Sequence, residues 1–339
     1  MKSIILVEPG VLRLEDTPPP NAPGVDEVQV RIRQVGICGT DLHAFQGNQP
    51  FFKYPRILGH ELAAEIVQIG PTQQSCTLLV GDRCCIQPYL NCGKCGACQR
   101  GFENCCEHMQ VIGVHQDGGM QELINVPLDK VRKSNLDDDA LALVEMLSIG
   151  AHAVRRAQII PGEYVMVVGV GPIGLGVSLF AQQAGAQVIV ADLSDQRLDF
   201  ARRYLGIEHT IRAEQNLLER LNAIVPDSLP AVVFDATGSL QSMKQSFSYV
   251  AHGGRLVFVG LVNGDVTFSD PEFHRREITL LASRNATSQD FDQVMMLLDS
   301  AMVDVLPWIT HRVSAQQLVQ DFRHWVEPGA NVVKAMMRF

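Results

Sequence analysis

Hydrophobic and polar positions along this 339-residue chain fall into two textures. In the first part, Val28, Val30 and Ile32 alternate with Gln29, Arg31 and Arg33, the period of a strand buried on one face. Pro18, Pro19, Pro20 and Pro23 break the chain before it. Val126 and Pro127, then the acidic run Asp137, Asp138 and Asp139, suggest a strand end, a turn and a helix whose positive N-terminal end the acids favour. Beyond residue 150 the pattern changes to short apolar runs at 165–168, 188–191, 232–234, 256–259 and 279–282. Helix-like stretches at 173–184, 195–205 and 240–250 lie between them. Strands alternating with helices predict a parallel sheet covered on both faces, a doubly wound α/β architecture. Residues 332–339 read as one further strand.

Length suggests roughly two domains, at about 150 residues each. Hydrophobic residues at 46% and charged residues at 19% describe a globular chain. The formal charge of −9 weighs against a phosphate-rich partner, so no nucleic acid is expected. The run Ile4–Val7 is too short for a signal peptide and is followed by Glu8. The uncharged stretch 164–181 is interrupted by Gly169, Gly171, Pro172, Gly174 and Gly176. It reads as strand, turn and buried helix rather than a membrane span, and the chain is expected to be soluble and cytoplasmic.

That stretch carries the first chemistry. Gly169-Val-Gly171-Pro172-Ile173-Gly174 follows an apolar strand and opens an apolar helix, the context a dinucleotide-binding loop requires. Gly169 permits the tight turn, Gly171 lets backbone approach a pyrophosphate, and Gly174 lets helix pack on strand. The helix N-terminus would attract the phosphates. Asp192 lies eighteen residues after Gly174 at a strand end, where it would accept from ribose hydroxyls and repel a 2′-phosphate. NAD is therefore favoured over NADP, with Arg197 placed to lie over the adenine or offset the Asp192 charge. The bland alternative is a glycine turn with no ligand.

The cysteines are the second. Seven of nine lie between Cys84 and Cys106. Cys92, Cys95 and Cys98 form two overlapping C-x2-C steps, and Cys106 adds a fourth thiol, a set able to close a tetrahedron around a structural zinc. Cys105 competes with Cys106 on spacing, and thiolates also fit an iron–sulfur cluster.

These features join Cys38-Gly39-Thr40-Asp41-Leu42-His43 and Gly59-His60-Glu61 in an order that resembles the zinc-containing medium-chain dehydrogenase/reductase family over essentially the whole chain. The likeness is nearest the sorbitol and threonine dehydrogenase side, and within it bacterial sugar-acid dehydrogenases of the L-galactonate 5-dehydrogenase type. It implies a GroES-like, partly open β-barrel catalytic domain over 1–148 and 284–339, and a Rossmann NAD-binding domain over 149–283. It implies two zincs per chain, one structural and one catalytic, the latter held by Cys38 and His60 with Glu61 or Glu145. Thr40 and His43 match the proton relay, since a hydroxyl both accepts and donates and an imidazole carries a proton onward. Thr237, Val259, Arg284 and Asn285 are further cofactor candidates. Asp41 would brace its loop and Glu65 would sit behind the metal. Asn48, Gln49, Phe51 and Phe52 are candidates for the substrate mouth, and Lys53, Arg56, Arg276 and Arg284 for holding a substrate carboxylate.

The implied reaction is hydride transfer from a secondary hydroxyl of a polyol or sugar acid to NAD. Threonine or simple alcohol oxidation, and dinucleotide sensing on a dehydrogenase scaffold, are the competing readings. A homo-oligomer, dimer or tetramer, is expected, with no membrane partner. Three positions depart from the family pattern. Ala64 replaces a glycine, Cys84 replaces a valine, and Met146 replaces a proline that would orient Glu145.

Overall fold

The structure, a computed structural model, describes residues 1–49, 52–73, 75–214, 216–226, 228–327, 330 and 332–339. The chain divides into two compact units, Met1–Met146 with Ala286–Phe339, and Leu147–Asn285.

The first unit is organised around the strand Glu27–Ile37. Val28, Val30 and Ile32 are at most 3% exposed, so the alternation read from the sequence is the inside–outside alternation of this strand. Glu61–Ile69 pairs antiparallel along one of its edges. Leu123–Pro127 and Lys334–Arg338 share the other. Arg83–Ile86 and Val131–Lys133 extend the sheet past Glu61–Ile69, and Ile309–Ser314 extends it past Lys334–Arg338. Leu62, Ile66, Ile86, Phe322 and Met337 close over the inner face with Val28 and Val30. Burying each such aliphatic side chain contributes roughly 1.5–3 kcal/mol. The result is the partly open β-barrel expected, antiparallel except where Ile309–Ser314 runs parallel to Lys334–Arg338. The strand read at 332–339 is shorter, Lys334–Arg338.

The segment from Cys92 to Cys106 leaves this barrel as a separate lobe. The two-residue strands Tyr89–Leu90 and Gln110–Val111 pair antiparallel at its base.

The second unit holds a six-stranded parallel sheet. Its strands run in the order His209–Arg212, Gln187–Asp192, Tyr164–Val168, Val232–Asp235, Arg255–Phe258 and Thr279–Ala282. In chain order this is 3-2-1-4-5-6, the doubly wound dinucleotide-binding topology, with its switch point between Tyr164–Val168 and Val232–Asp235. Val165, Met166 and Val167 are all fully buried, because helices cover both faces of a parallel sheet.

Two elements differ from the expectation. The helix read at 240–250 ends at Ser246 and tightens into a 3-10 turn over Phe247–Tyr249. The Ser246 hydroxyl bonds back to the Ser242 carbonyl at 3.0 Å, a contact that bends helices. The edge strand His209–Arg212 is silent in the sequence pattern because Ile211 is its one buried residue. Among the described residues, no helix is long and apolar enough to cross a membrane.

Candidate active site

Cys38 stands at the N-cap of the short helix Gly39–Phe45, and its amide donates to Asp41 Oδ2 at 2.9 Å. Thr40 and His43, three residues apart, share one face of that helix, Thr40 half-buried and His43 exposed. Glu61 opens its strand opposite Gly36, where an added Cβ would fall 2.1 Å from Glu61 Oε2. Only glycine leaves room for that carboxylate. Cys38, His60 and Glu61 each bring one ligand atom within 4.8 Å of the other two.

A thiol, an imidazole and a carboxylate are a donor set that zinc accepts at catalytic sites. The local electrostatics fit a cation as well. His60 Nδ1 and Asp41 Oδ1 are 3.8 Å apart, and each is buried without a hydrogen-bond partner among the described residues. Burial opposes charge on His60, but Cys38, Asp41 and Glu145 outweigh it and hold its pKa well above the ordinary histidine value. The same negative groups around His60 would favour a bound cation.

Glu145 comes from the helix Asp138–Ala157 and is 5% exposed. It lies outside the three-residue group, and its carboxyl accepts the phenol hydrogen of Tyr89. Burial, with Glu61 adding to it, pushes the Glu145 pKa up against the pull of His60. Met146 follows Glu145 where the resemblance expects a proline, and Tyr89 is the hydrogen-bond partner of the Glu145 carboxyl.

Sequence reasoning overlooked Tyr89 and Lys334. Lys334 is 2% exposed, and its Nζ lies 2.7 Å from both Glu61 oxygens and 3.2 Å from the Ile37 carbonyl. The only signal was a lysine opening a strand whose next three residues are apolar. Glu65, expected behind the metal, is instead 32% exposed and pairs with Arg33 at 3.8 Å. Beyond Glu61 the strand turns Glu65 toward solvent, and Lys334 occupies the buried position.

In the lobe, Cys92, Cys95, Cys98 and Cys106 form a second group of ligand atoms within 4.8 Å of one another. Backbone amides of Cys98 and Glu107 lower the Cys95 pKa to about 6, which favours its thiolate, while burial and the neighbouring sulfurs push the Cys98 thiol up to about 11. Cys105 is exposed while Cys106 is buried in the group, which decides between them. Four sulfurs leave no open position, as a structural zinc requires. Cys84 and Cys85 are core residues, and burial pushes the Cys85 thiol up to about 12.

In the glycine loop, Gly169 and Gly174 sit where turn and close packing require glycine. Gly169 has φ +88°. A Cβ on Gly174 would fall 1.8 Å from the Gly169 carbonyl oxygen, so helix and strand meet only through glycine. A Cβ on Gly171 meets nothing within 4 Å, which leaves open space at the N-terminus of Pro172–Gln183 for a phosphate. Pro172 is at the first helical position and Ile173 follows it. Asp192 accepts from the amides of Val170 at 2.7 Å and Ser194 at 2.9 Å, so the carboxylate also ties the loop to the neighbouring strand. Arg197 lies 3.8 Å from it. Thr237 packs against Gly169 and donates from its amide and hydroxyl to the buried Asp235. Val259 follows the next strand and its amide donates to the Asp235 carbonyl. Arg284 is exposed, and Asn285 takes a left-handed φ of 53°.

Other candidates are engaged elsewhere. Arg56 pairs with Asp117 at 3.2 Å, and Arg276 donates to the carbonyls of Ser248 and Val250, so neither is free for a substrate carboxylate. Lys53 and Asn48 are exposed, Gln49 is half-buried, and Phe52 packs edge-on against Tyr54. Phe51 lies outside the described residues.

Comparison with known proteins agrees with this geometry. Residues 24–135 match the alcohol dehydrogenase GroES-like domain, and residues 172–300 match the zinc-binding dehydrogenase domain. The chain is 43% identical over 318 residues to the L-galactonate-5-dehydrogenase of Escherichia coli (strain K12), covering 94% of this chain and 93% of that protein. It is 31% identical over 327 residues to a sorbitol dehydrogenase of Bacillus subtilis (strain 168), covering 94% and 91%. The solved short chain alcohol dehydrogenase rspB of E. coli CFT073, in complex with NADH, superposes with a TM-score of 0.92 at 28% identity, covering 100% and 99%. Glycine loop, four-cysteine lobe, Cys38–His60–Glu61 group and both domain matches converge, and the chain belongs to the zinc-containing medium-chain dehydrogenase/reductase family.

Proposed function

We propose that this protein catalyses NAD-dependent oxidation of a secondary hydroxyl on a polyol or sugar acid, with L-galactonate as the leading substrate. The observation that carries the reading is the convergence of Cys38, His60 and Glu61 beside a helix that presents Thr40 and His43 on one face. Similarity to the E. coli L-galactonate-5-dehydrogenase supports the choice of sugar acid.

Cys38 and His60, with Glu61 or Glu145, would hold the catalytic zinc, and Cys92, Cys95, Cys98 and Cys106 the structural one. Zinc bound there would supply Lewis acidity that makes a substrate hydroxyl a stronger acid, and bound NAD would supply the hydride acceptor. The chain's own residues do the rest. Thr40 Oγ1 takes the hydroxyl proton, and the His43 imidazole serves further along the relay that hands it outward. The Gly169–Gly174 loop and the helix behind it seat the pyrophosphate, and Asp192 selects an unphosphorylated ribose. Thr237, Val259, Arg284 and Asn285 contribute further contacts to the cofactor.

The protein acts in the cytoplasm, where the ligand thiols stay reduced. It assembles as a homodimer or tetramer. Exposed Leu280 on the edge strand Thr279–Ala282, with exposed Leu261 and Phe268 in the same unit, supports this, because open apolar edges are otherwise protected. Light scattering reads the assembly state.

The decisive test is a panel of aldonates, uronates, polyols, threonine and simple alcohols with NAD, followed at the NADH absorbance band. Formation of NADH with aldonates or uronates is expected. Turnover confined to neutral polyols, threonine or simple alcohols refutes the sugar-acid assignment, and undiminished activity in Cys38→Ser refutes the zinc mechanism.

A further inference from the structure

We propose that Tyr89 is a positioning residue that sets the Glu145 carboxyl at the catalytic metal centre, and that the four-cysteine lobe holds Tyr89 in place. The inference rests on the reading of Cys38, His60, Glu61 and Glu145 as a metal site.

Tyr89 is 4% exposed and Glu145 5% exposed, and the phenol donates to Glu145 Oε1. Phenylalanine would fill the same space without a buried hydroxyl, which costs free energy unless it is bonded. The hydroxyl has its use in Glu145. A single neutral donor restrains one carboxyl oxygen and leaves the second able to face a cation. The groups that orient metal ligands in this way set the affinity of a site.

The lobe immobilises Tyr89 from the backbone side. Tyr89 pairs with Val111 and Leu90 with Gln110, and the chain between these strands carries all four lobe cysteines. The Cys92 amide donates to Cys106 Sγ at 3.2 Å, which closes the loop just beyond the strand pair. The Ile112 amide donates to the Pro88 carbonyl at 3.0 Å and extends the pairing by one residue. On the ring side, Tyr89 meets the fully buried Phe291 edge-on, with centroids 6.3 Å apart. A metal held by the four cysteines would cross-link the chain between the two strands that fix the Tyr89 backbone. Loss of that cross-link frees the phenol, and with it Glu145.

The test is Tyr89→Phe in the full-length protein, with cobalt(II) at the catalytic site. Metal affinity is read by chelator competition, and coordination by the cobalt d–d absorption spectrum. Catalytic-site affinity should fall about 10–100-fold and the spectrum should shift, while lobe occupancy stays complete. In the Glu145→Gln background the same substitution should change neither readout. A folded Tyr89→Phe protein with wild-type affinity and spectrum overturns the proposal. Cys98→Ser should shift the cobalt spectrum in the same direction, and a folded variant with the wild-type spectrum overturns the role of the lobe; Tyr89→Phe decides the matter if that variant does not fold. If the wild-type chain binds one metal only, in the lobe, the underlying reading of the catalytic site fails instead.

Discussion

Lys334→Met removes the ammonium facing Glu61 and keeps the aliphatic stem that fills the same space. Glu61 is fully buried and Lys334 is 2% exposed, with Nζ 2.7 Å from each carboxylate oxygen. Breaking one side of a buried pair leaves the other charge uncompensated, at a cost of about 3–5 kcal/mol. For a unit of this size, at roughly 2–4 °C per kcal/mol, melting should fall by about 6–20 °C. The effect is present throughout the neutral range. Burial pulls the Lys334 pKa down, but Glu61, Cys38 and Glu145 outweigh it and raise it above the ordinary lysine value. A folded pKa above the unfolded one means the stabilisation is complete below the unfolded value and is lost only as pH rises through the folded one. Zinc bound through Cys38 and His60 places positive charge beside Glu61 and binds the folded state alone, so it should offset part of the loss. Differential scanning calorimetry at pH 7, with zinc and after chelation, measures both effects. A fall under about 2 °C in the chelated protein, the scale of an exposed ion pair, refutes the reasoning. So does an equal fall with and without zinc.

Gly174→Ala puts a methyl 1.8 Å from the Gly169 carbonyl oxygen, and backbone cannot swing aside as a side chain can. Overpacking of about 1–3 kcal/mol should weaken NAD binding roughly 5- to 150-fold, and a wild-type Kd by isothermal titration calorimetry would contradict the close contact. Asp192→Asn removes the charge but keeps an acceptor for Val170 or Ser194, so NAD affinity should fall about tenfold and preference over NADP should shrink. An unchanged ratio of the two cofactors in steady-state assays removes the selective role. Burial holds Cys85 near 12 and Cys84 also well above the usual thiol value. A raised folded pKa makes stability fall as pH rises from about 9 toward 12, and Cys85→Ala should flatten that fall in urea titrations. In the native protein at pH 8, iodoacetamide should label exposed Cys105 and spare Cys84 and Cys85, as peptide mapping would show.

How much of this protein was legible in the chain depended on how far apart the interacting residues lie. Strand period at 28–32, the Gly169–Gly174 loop and the C-x2-C steps are written within a few neighbouring residues, where backbone geometry imposes a fixed spacing. The His209–Arg212 strand was lost because an edge position buries one side chain and leaves no period to read. Cys38, His60, Glu61 and Glu145 carried no spacing signal of their own and were reached only through resemblance. Even that frame placed Glu65 behind the metal, and spacing alone left Cys105 competing with Cys106.

By itself, the sequence determined the doubly wound sheet, the dinucleotide loop and the thiol-rich lobe, since each arises from local periodicity, backbone freedom at glycine or short loop closure. Only the tertiary structure decided that Lys334 neutralises Glu61 from 273 residues away and that Tyr89 orients Glu145 across 56. Those contacts exist because the last strand returns to the edge of Glu27–Ile37, and because the lobe pins Tyr89 at its base. A buried charge can be met only by whatever the topology brings to it, and no local pattern encodes which residue that will be.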